Sequence, residues 1–163
     1  MATRVVYTPM SAEFPVSAFP ALKKDAQDRM VLAFDAATDE NIYWTSVAPQ
    51  GLTGTITLVI LYYMVSAASG AVRFQAALEA VTAGDALDLD SAASFDTDNS
   101  NGATVPATQG YLGQISITMT NADSLTAADV FRLRLRRDAD GTSGTDDAAG
   151  DCHVLAVELR DAA

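Results

Sequence analysis

The fold is decided by the stretch Phe131-Arg132-Leu133-Arg134-Leu135-Arg136. Apolar and basic residues alternate here with a period of two. This places Phe131, Leu133 and Leu135 on one face of an extended chain and the arginines on the other. A helix would mix the two sets, because its side chains repeat every 3.6 residues. The stretch therefore predicts a β-strand with one buried and one polar face.

Similar apolar stretches recur along the chain, separated by loops rich in Asp, Gly, Ser, Thr and Asn. The predicted strands are residues 22–24, 30–34, 42–45, 55–65, 72–79, 114–120, 131–136 and 154–159. Strands separated by turn signals, without helical patterns between them, indicate a sandwich or barrel, and the long connections favour a jelly roll. We predict an all-β chain, a jelly-roll-like antiparallel β-sandwich of about eight strands with an extended N-terminal arm.

The arm covers residues 1–29 and ends in the first hairpin strand, ahead of a single sandwich domain over residues 30–163. Pro9, Pro15 and Pro20 punctuate it, and proline is disfavoured in helix interiors and central strands. Such an arm lies either on its own sandwich or on a neighbouring subunit, and the sequence leaves both alternatives open.

Two later segments carry further expectations. Residues 84–107 are predicted to form an acidic excursion, within which residues 99–102 are a turn cluster of Asn, Ser and Gly. The last strand is expected to turn Leu155, Val157 and Leu159 inward.

Composition limits the function. A hydrophobic content of 49% in 163 residues predicts a folded chain with a substantial core. The net charge of −11 argues against nucleic-acid binding, which requires clustered cations. The most apolar stretch, residues 55–68, is too short to span a bilayer, and we expect neither a secretory signal nor membrane association. Cys152 is the single cysteine, so no intrachain disulfide is expected.

Several apolar residues are candidates for an interface. The second half of the strand over residues 55–65 is apolar on both faces, which indicates cover by the arm or by another subunit. The Arg stripe (Arg132, Arg134 and Arg136), together with Arg137, is the concentrated positive charge of the chain and is expected on an outer face of the sandwich. Pairing with acidic loops of the same chain is favoured over pairing with a partner. The interface candidates are Tyr7, Phe14, Phe19, Val59, Leu61, Tyr63, Val65 and the Arg stripe.

Catalytic patterns are weak, and we predict that the chain is not an enzyme. Cys152 and His153 are adjacent on a predicted strand, so they point to opposite faces and cannot form a catalytic pair with each other. The sequence shows no phosphate-binding loop, zinc spacing or nucleophile elbow. A hydrolase that uses two of the many loop carboxylates remains an alternative.

Two ligand hypotheses remain. Asp138-Ala139-Asp140-Gly141 begins like a calcium loop, with Asp146, Asp147 and Asp151 close by. The spacing lacks the terminal Glu of an EF-hand, so we expect no cofactor and keep Asp138, Asp140, Asp146 and Asp147 as a weak calcium candidate. Aromatic side chains can form a sugar-binding platform. That pool is Tyr43, Trp44, Tyr62, Tyr63 and Tyr111.

The last sequence feature is a set of segments at residues 32–40 with Tyr43-Trp44, 54–58, 72–74, 115–123 and 129–135. These segments resemble small jelly-roll virion structural proteins of tailed bacteriophages, and the likeness extends from about Leu22 to the C-terminus. The resemblance implies a capsid decoration (cement) protein without catalytic residues, made in the host cytoplasm and bound to the capsid surface of the virion. Its partners would be the major capsid protein and further copies of itself, with a trimer expected at local threefold axes. The alternative function is a carbohydrate-binding jelly-roll module of a tail or fibre.

Overall fold

A computed structural model describes residues 1–161, and within them the chain forms ten strands and one 3-10 turn at Pro9–Ser11. The strands are β1 (Ala2–Tyr7), β2 (Ala21–Lys24), β3 (Met30–Phe34), β4 (Glu40–Val47), β5 (Ile56–Met64), β6 (Ala71–Val81), β7 (Asn99–Thr104), β8 (Gly113–Thr118), β9 (Val130–Arg137) and β10 (Cys152–Asp161). No helix in this part of the chain is long and apolar enough to cross a membrane.

The strands form two antiparallel sheets. The six-stranded sheet has the order β2-β3-β10-β5-β8, with β1 also paired to β10. The four-stranded sheet has the order β4-β9-β6-β7. From β3 to β6 the chain changes sheet at every connection, as it does again from β7 to β10, which is the crossing pattern of a jelly roll. The predicted all-β sandwich is confirmed.

The core between the sheets comes from the inward face of each alternating strand. Phe131, Leu133 and Leu135 of β9 are buried, as the period of two predicts, and the large Trp44 of β4 is buried beside them. Full burial of one such aliphatic side chain contributes about 1.5–3 kcal/mol, so the inward faces supply most of the stabilisation. The outer faces carry most of the polar side chains of the strands.

The N-terminal segment differs from the predicted arm, because residues 2–7 are a strand of the sandwich. β1 pairs with the end of β10, and the Tyr7 ring enters the core. Residues 8–20 then follow the edge of β4. Glu13 and Tyr43 exchange backbone hydrogen bonds of 2.8 and 3.1 Å, and Asn41 donates to the Ala18 carbonyl at 2.7 Å. The segment therefore lies on its own sandwich, where it covers an edge that would otherwise be open to pairing.

Two other sequence expectations were wrong. The turn cluster at residues 99–102 is part of β7. β7 is an edge strand paired only with β6. Apart from Asn99, which is buried, its residues are exposed or half-buried and show no alternation of apolar and polar side chains. In β10 a bulge between Val154 and Ala156 shifts the alternation by one residue. Val154 and Val157 both face the core, whereas Leu155, which we expected inward, lies outside it.

Candidate functional site

The Arg stripe lies on the outer face of the four-stranded sheet, the side away from the other sheet. Each guanidinium faces a carboxylate of the same chain, in agreement with the intrachain alternative. The pairs are Arg132–Glu13 at 3.3 Å, Arg134–Asp98 at 2.8 Å and Arg136–Asp39 at 3.7 Å. The stripe is therefore already paired in the single chain. Arg137, which we expected beside the stripe, is instead fully buried and pairs with Asp146, because it follows Arg136 directly and so points to the opposite face of β9.

The apolar interface candidates fall into three groups. Tyr7 and Val59 are buried within the single chain, Val59 on the outer face of β5 between the paired strands β10 and β8. Leu61 and Tyr63 are half-buried. The remaining three are exposed, at 40% for Phe14, 40% for Phe19 and 46% for Val65. Only this last group offers substantial apolar surface to a partner, and an interface there stays a prediction.

The predicted calcium residues are occupied by donors of the chain itself. Asp138 is fully buried, and its carboxylate accepts hydrogen bonds from the backbone and hydroxyl of Ser143 and from the Thr142 hydroxyl. Asp146 pairs with Arg137, and Asp147 accepts from a backbone N–H. Carboxylate oxygens of Asp138 and Asp140 do come within 4.8 Å of each other, together with one of Asp39. The absence of a cofactor stays a prediction, with these residues as the weak calcium candidate.

Cys152 and His153 point to opposite faces, as predicted. Cys152 lies in the core, where burial raises the pKa of its thiol and keeps the group protonated. His153 lies on the outer face of the six-stranded sheet, in a row with Ala33 of β3 and Tyr63 of β5. The buried, protonated thiol and the imidazole therefore lie on opposite sides of the six-stranded sheet.

The aromatic pool does not form one platform within the described residues. Trp44 and Tyr62 are buried, and Tyr63 is half-buried against His153. The Tyr43 ring lies under the Arg132 guanidinium, 4.3 Å from the ring centroid. Tyr111 is widely exposed, at 65%, on the connection between β7 and β8. These five side chains therefore do not provide the coplanar rings of a sugar-binding platform.

A cleft of about 280 Å³ opens on the outer face of the four-stranded sheet, between Glu13 and the segment that follows β6. Its floor is built from two adjacent rows of side chains on β4, β9 and β6. The first row is Thr45, Arg132 and Glu79, and in the second row Val130 and Val81 line the cleft. Leu89, 63% exposed, lines the opposite wall. This sheet-face cleft therefore has a charged half and an apolar half.

The charged groups of the cleft are held in place by backbone donors. The Glu13 carboxylate accepts from the Thr45 N–H at 3.0 Å and also faces Arg132. The Glu79 carboxylate, on a residue 5% exposed, accepts from the Ser94 N–H at 2.6 Å. Because these side chains are already held in place, ligand binding would cost less conformational entropy of the protein. The sequence analysis missed both glutamates.

A second recess of about 400 Å³, the His153 pocket, lies on the outer face of the six-stranded sheet. It is enclosed by the end of β2, the turn after it, the end of β5, the segment before β8 and the start of β10. At its centre Asp25, Tyr63 and His153 form a hydrogen-bonded chain. The Tyr63 hydroxyl lies 3.1 Å from Asp25 Oδ2 and 2.9 Å from His153 Nδ1.

The sequence matches no protein-family model. It also matches no curated protein.

Solved structures resemble the fold. A family 35 carbohydrate-binding module from an environmental isolate has a TM-score of 0.55 at 9% identity, with 96% of this chain and 93% of that chain covered. The family 35 module from Paenibacillus barcinonensis has a TM-score of 0.51 at 14% identity, with coverage of 98% and 100%. A family 28 module specific for non-crystalline cellulose has a TM-score of 0.53 at 12% identity, with coverage of 93% and 89%. At these identities the likeness establishes the β-sandwich fold alone.

Proposed function

We propose that this chain is a non-catalytic carbohydrate-binding module whose ligand lies in the sheet-face cleft. The observation that carries the proposal is the pair of adjacent rows on the cleft floor, Thr45-Arg132-Glu79 beside Val130-Val81. A sugar ring is amphipathic in the same way, with hydroxyls around its edge and C–H groups on its face. The cleft can meet both surfaces of one ring at once.

The polar row supplies both kinds of hydrogen-bonding group that hydroxyls need. Glu13 and Glu79 accept from sugar O–H groups, and the Arg132 guanidinium donates to sugar oxygens. Hydrogen bonds to charged groups are the stronger ones, at about 1.5–3 kcal/mol each. The volume of about 280 Å³ is near the lower end of ligand pockets and suits one or two rings.

The carboxylates of the cleft fit binding better than hydrolysis. A glycosidase of the usual kind needs one carboxylic acid that protonates the leaving oxygen and a second carboxylate that attacks or activates water. Glu13 faces a guanidinium and accepts a backbone N–H, and Glu79 also accepts a backbone N–H. Both carboxylates therefore already act as hydrogen-bond acceptors within the chain, and neither shows the pair of roles that a glycosidase needs. The binding modules that share the fold support the same conclusion.

The test is a glycan array followed by calorimetric titration of the retained saccharide. Arg132→Gln should weaken binding by roughly tenfold or more, since loss of one charge-assisted hydrogen bond exceeds the 1.4 kcal/mol that tenfold represents. Arg160→Gln is the matched control. Arg160 is a partly exposed arginine with its own acidic partner, Glu158, on the outer face of the other sheet. Failure of every glycan to bind, or equal affinities for wild type and Arg132→Gln, would refute the proposal.

The second candidate is the capsid decoration protein that the sequence resemblance implies. One observation favours it: large apolar side chains are exposed along the segment between β1 and β2. They are Met10 at 67%, Phe14 at 40%, Val16 at 102% and Phe19 at 40%. Exposed apolar groups of this kind are typical of a docking surface. A stable trimer by light scattering, with binding to empty capsids that Phe14→Ser abolishes, would support this candidate; a monomer indifferent to capsids would remove it.

A further inference from the structure

The charge state of Asp25 fixes the direction of the hydrogen bonds in the His153 pocket. The Asp25 carboxylate accepts from the Arg29 guanidinium at 2.7 Å and from the backbone N–H groups of Gln27 and Arg29. The Arg29 contact is the main reason that the pKa of Asp25 lies well below its usual range. The carboxylate is therefore ionised at neutral pH and can only accept hydrogen bonds.

The tautomer of His153 follows from this. Burial, together with the hydrogen bond to Asp25, raises the pKa of Tyr63 to about 12, so the hydroxyl keeps its proton and donates it to Asp25. The Tyr63 oxygen must then accept from His153 Nδ1, which carries the ring proton. Burial first, and the charge of Lys23 second, lower the pKa of His153 and keep the imidazole neutral. Its Nε2 is left as a bare acceptor.

That acceptor is unsatisfied. His153 is 5% exposed, and within residues 1–161 its Nε2 atom has no hydrogen-bond partner. A buried polar atom without a hydrogen-bond partner lowers the stability of the fold by about 1–3 kcal/mol. Because this atom lies beside a recess, a bound ligand is the group that would supply the missing hydrogen bond. Since Nε2 carries a lone pair, the missing partner must be a donor such as a hydroxyl.

The ion pair between Lys23 and Asp151 lies beside the His153 pocket. The strand register places Ala21, Ala33 and His153 in one row across β2, β3 and β10. Lys23 lies two residues along β2 on one side of this row. Asp151 lies two residues before His153, on the other side of the row. The Lys23 ammonium nevertheless reaches Asp151 at 3.3 Å, so the lysine side chain crosses the His153 row over the small alanines. Both partners are about two-fifths exposed, at 42% and 41%. Such an ion pair contributes little stability and opens readily.

We propose that the His153 pocket is a second binding site, for a neutral polyhydroxyl ligand such as a single sugar ring. A ligand hydroxyl donates to His153 Nε2, and Lys23 leaves Asp151 and donates to another ligand oxygen. Gln109, at the rim, supplies an amide that can both donate and accept. This site shares with the proposed function only the class of ligand, since it lies on the other sheet.

Nitrogen-15 NMR of the imidazole tests this directly, because His153 is the only histidine in the chain. Without ligand, the spectrum should show a protonated Nδ1 and an unprotonated Nε2. Glucose, galactose, mannose and xylose are then titrated separately. We expect at least one of them to move the Nε2 resonance toward the protonated position while Nδ1 changes little. A protonated Nε2 in the free protein, or no response to any of the four sugars, would overturn the inference.

Two variants separate this site from the sheet-face cleft. Arg132→Gln should leave the imidazole response unchanged, and Tyr63→Phe should weaken it because the acceptor that fixes the tautomer is lost. If glycans bind and Arg132→Gln lowers their affinity while the imidazole resonances do not change, this inference is wrong and the proposed function stands. If the imidazole responds equally in wild type and Arg132→Gln, the pocket is a site whether or not the cleft is one. A response that Tyr63→Phe leaves intact would contradict the hydrogen-bonded chain.

Discussion

Replacing Arg137 with methionine should destabilise this protein more than any surface charge change. The side chain is fully buried at the end of β9, and each of its five N–H donors has an acceptor. Two donors bind Asp146, at 3.1 and 2.7 Å. The other three bind the carbonyls of Phe34, Gly150 and Ala148, at 3.4, 3.0 and 3.1 Å. The guanidinium thus joins β9 to the end of β3 and to the connection before β10.

The magnitude follows from what the variant leaves behind. Asp146, whose side chain is 1% exposed, would become a buried carboxylate without its cation. Breaking a buried pair from one side costs about 3–5 kcal/mol. For a domain of this size 1 kcal/mol corresponds to about 2–4 °C, so Arg137→Met should lower the melting temperature by roughly 6–20 °C. Calorimetry and denaturant unfolding would both measure it.

A second variant isolates the charge contribution. Arg137→Met combined with Asp146→Leu removes both charges and should recover a measurable part of the loss, since apolar replacement of a whole buried pair is often neutral. Lys24→Met, which opens a widely exposed ion pair with Asp28, should have no measurable effect. A loss of less than about 1 kcal/mol for Arg137→Met would show that the pair behaves like a surface contact and would refute the reasoning.

Three further results are expected. A Cβ at Gly113 would lie 2.7 Å from Cζ of the buried Tyr62, so Gly113→Ala should cost about 1–3 kcal/mol in denaturant unfolding; an unchanged midpoint would show that the ring can move. The hydrogen bond from Arg4 holds the pKa of Asp161 below its unfolded value of 3.8, so this group's stabilisation is present above pH 3.8 and is lost as the pH falls further. Asp161→Asn should therefore be less stable than wild type at neutral pH, with the difference shrinking in acid; a constant difference in stability-versus-pH curves would contradict this. Calcium should leave the melting temperature unchanged, because the Asp138 oxygens already accept hydrogen bonds from the chain; an upward shift would count against this expectation.

The period of two explains how much of the fold the sequence predicts. Alternation identified the inward face of β9, and apolar stretches between turn signals located β5, β6 and β8 as well as the hairpin of β2 and β3. The edge strand β7 was not predicted, because a strand with only one neighbour need not alternate apolar and polar residues. β10 was assigned the wrong inward residue after Val154 because a bulge adds one residue to one strand, and no local pattern marks it.

The candidate site was harder to predict because it depends on strand pairing. Arg132 was singled out as an outward arginine, but its row with Thr45 and Glu79 exists only once β9 lies between β4 and β6. Glu13 belongs to a proline-rich segment whose path no periodicity fixes. Opposite placement of Cys152 and His153 was predictable, since it needs only the alternation along one strand. Long-range pairing is thus the information that local patterns lack.

The measurement that tests the central claim most directly is a backbone amide NMR map of the chain with its best saccharide from the array. The amides of Thr45 and Ser94 hold the two cleft carboxylates, so their resonances should change most as those carboxylates accept sugar hydroxyls. Changes of that kind would place the ligand in the sheet-face cleft. Changes elsewhere, with Thr45 and Ser94 unaffected by a saturating ligand, would contradict the account.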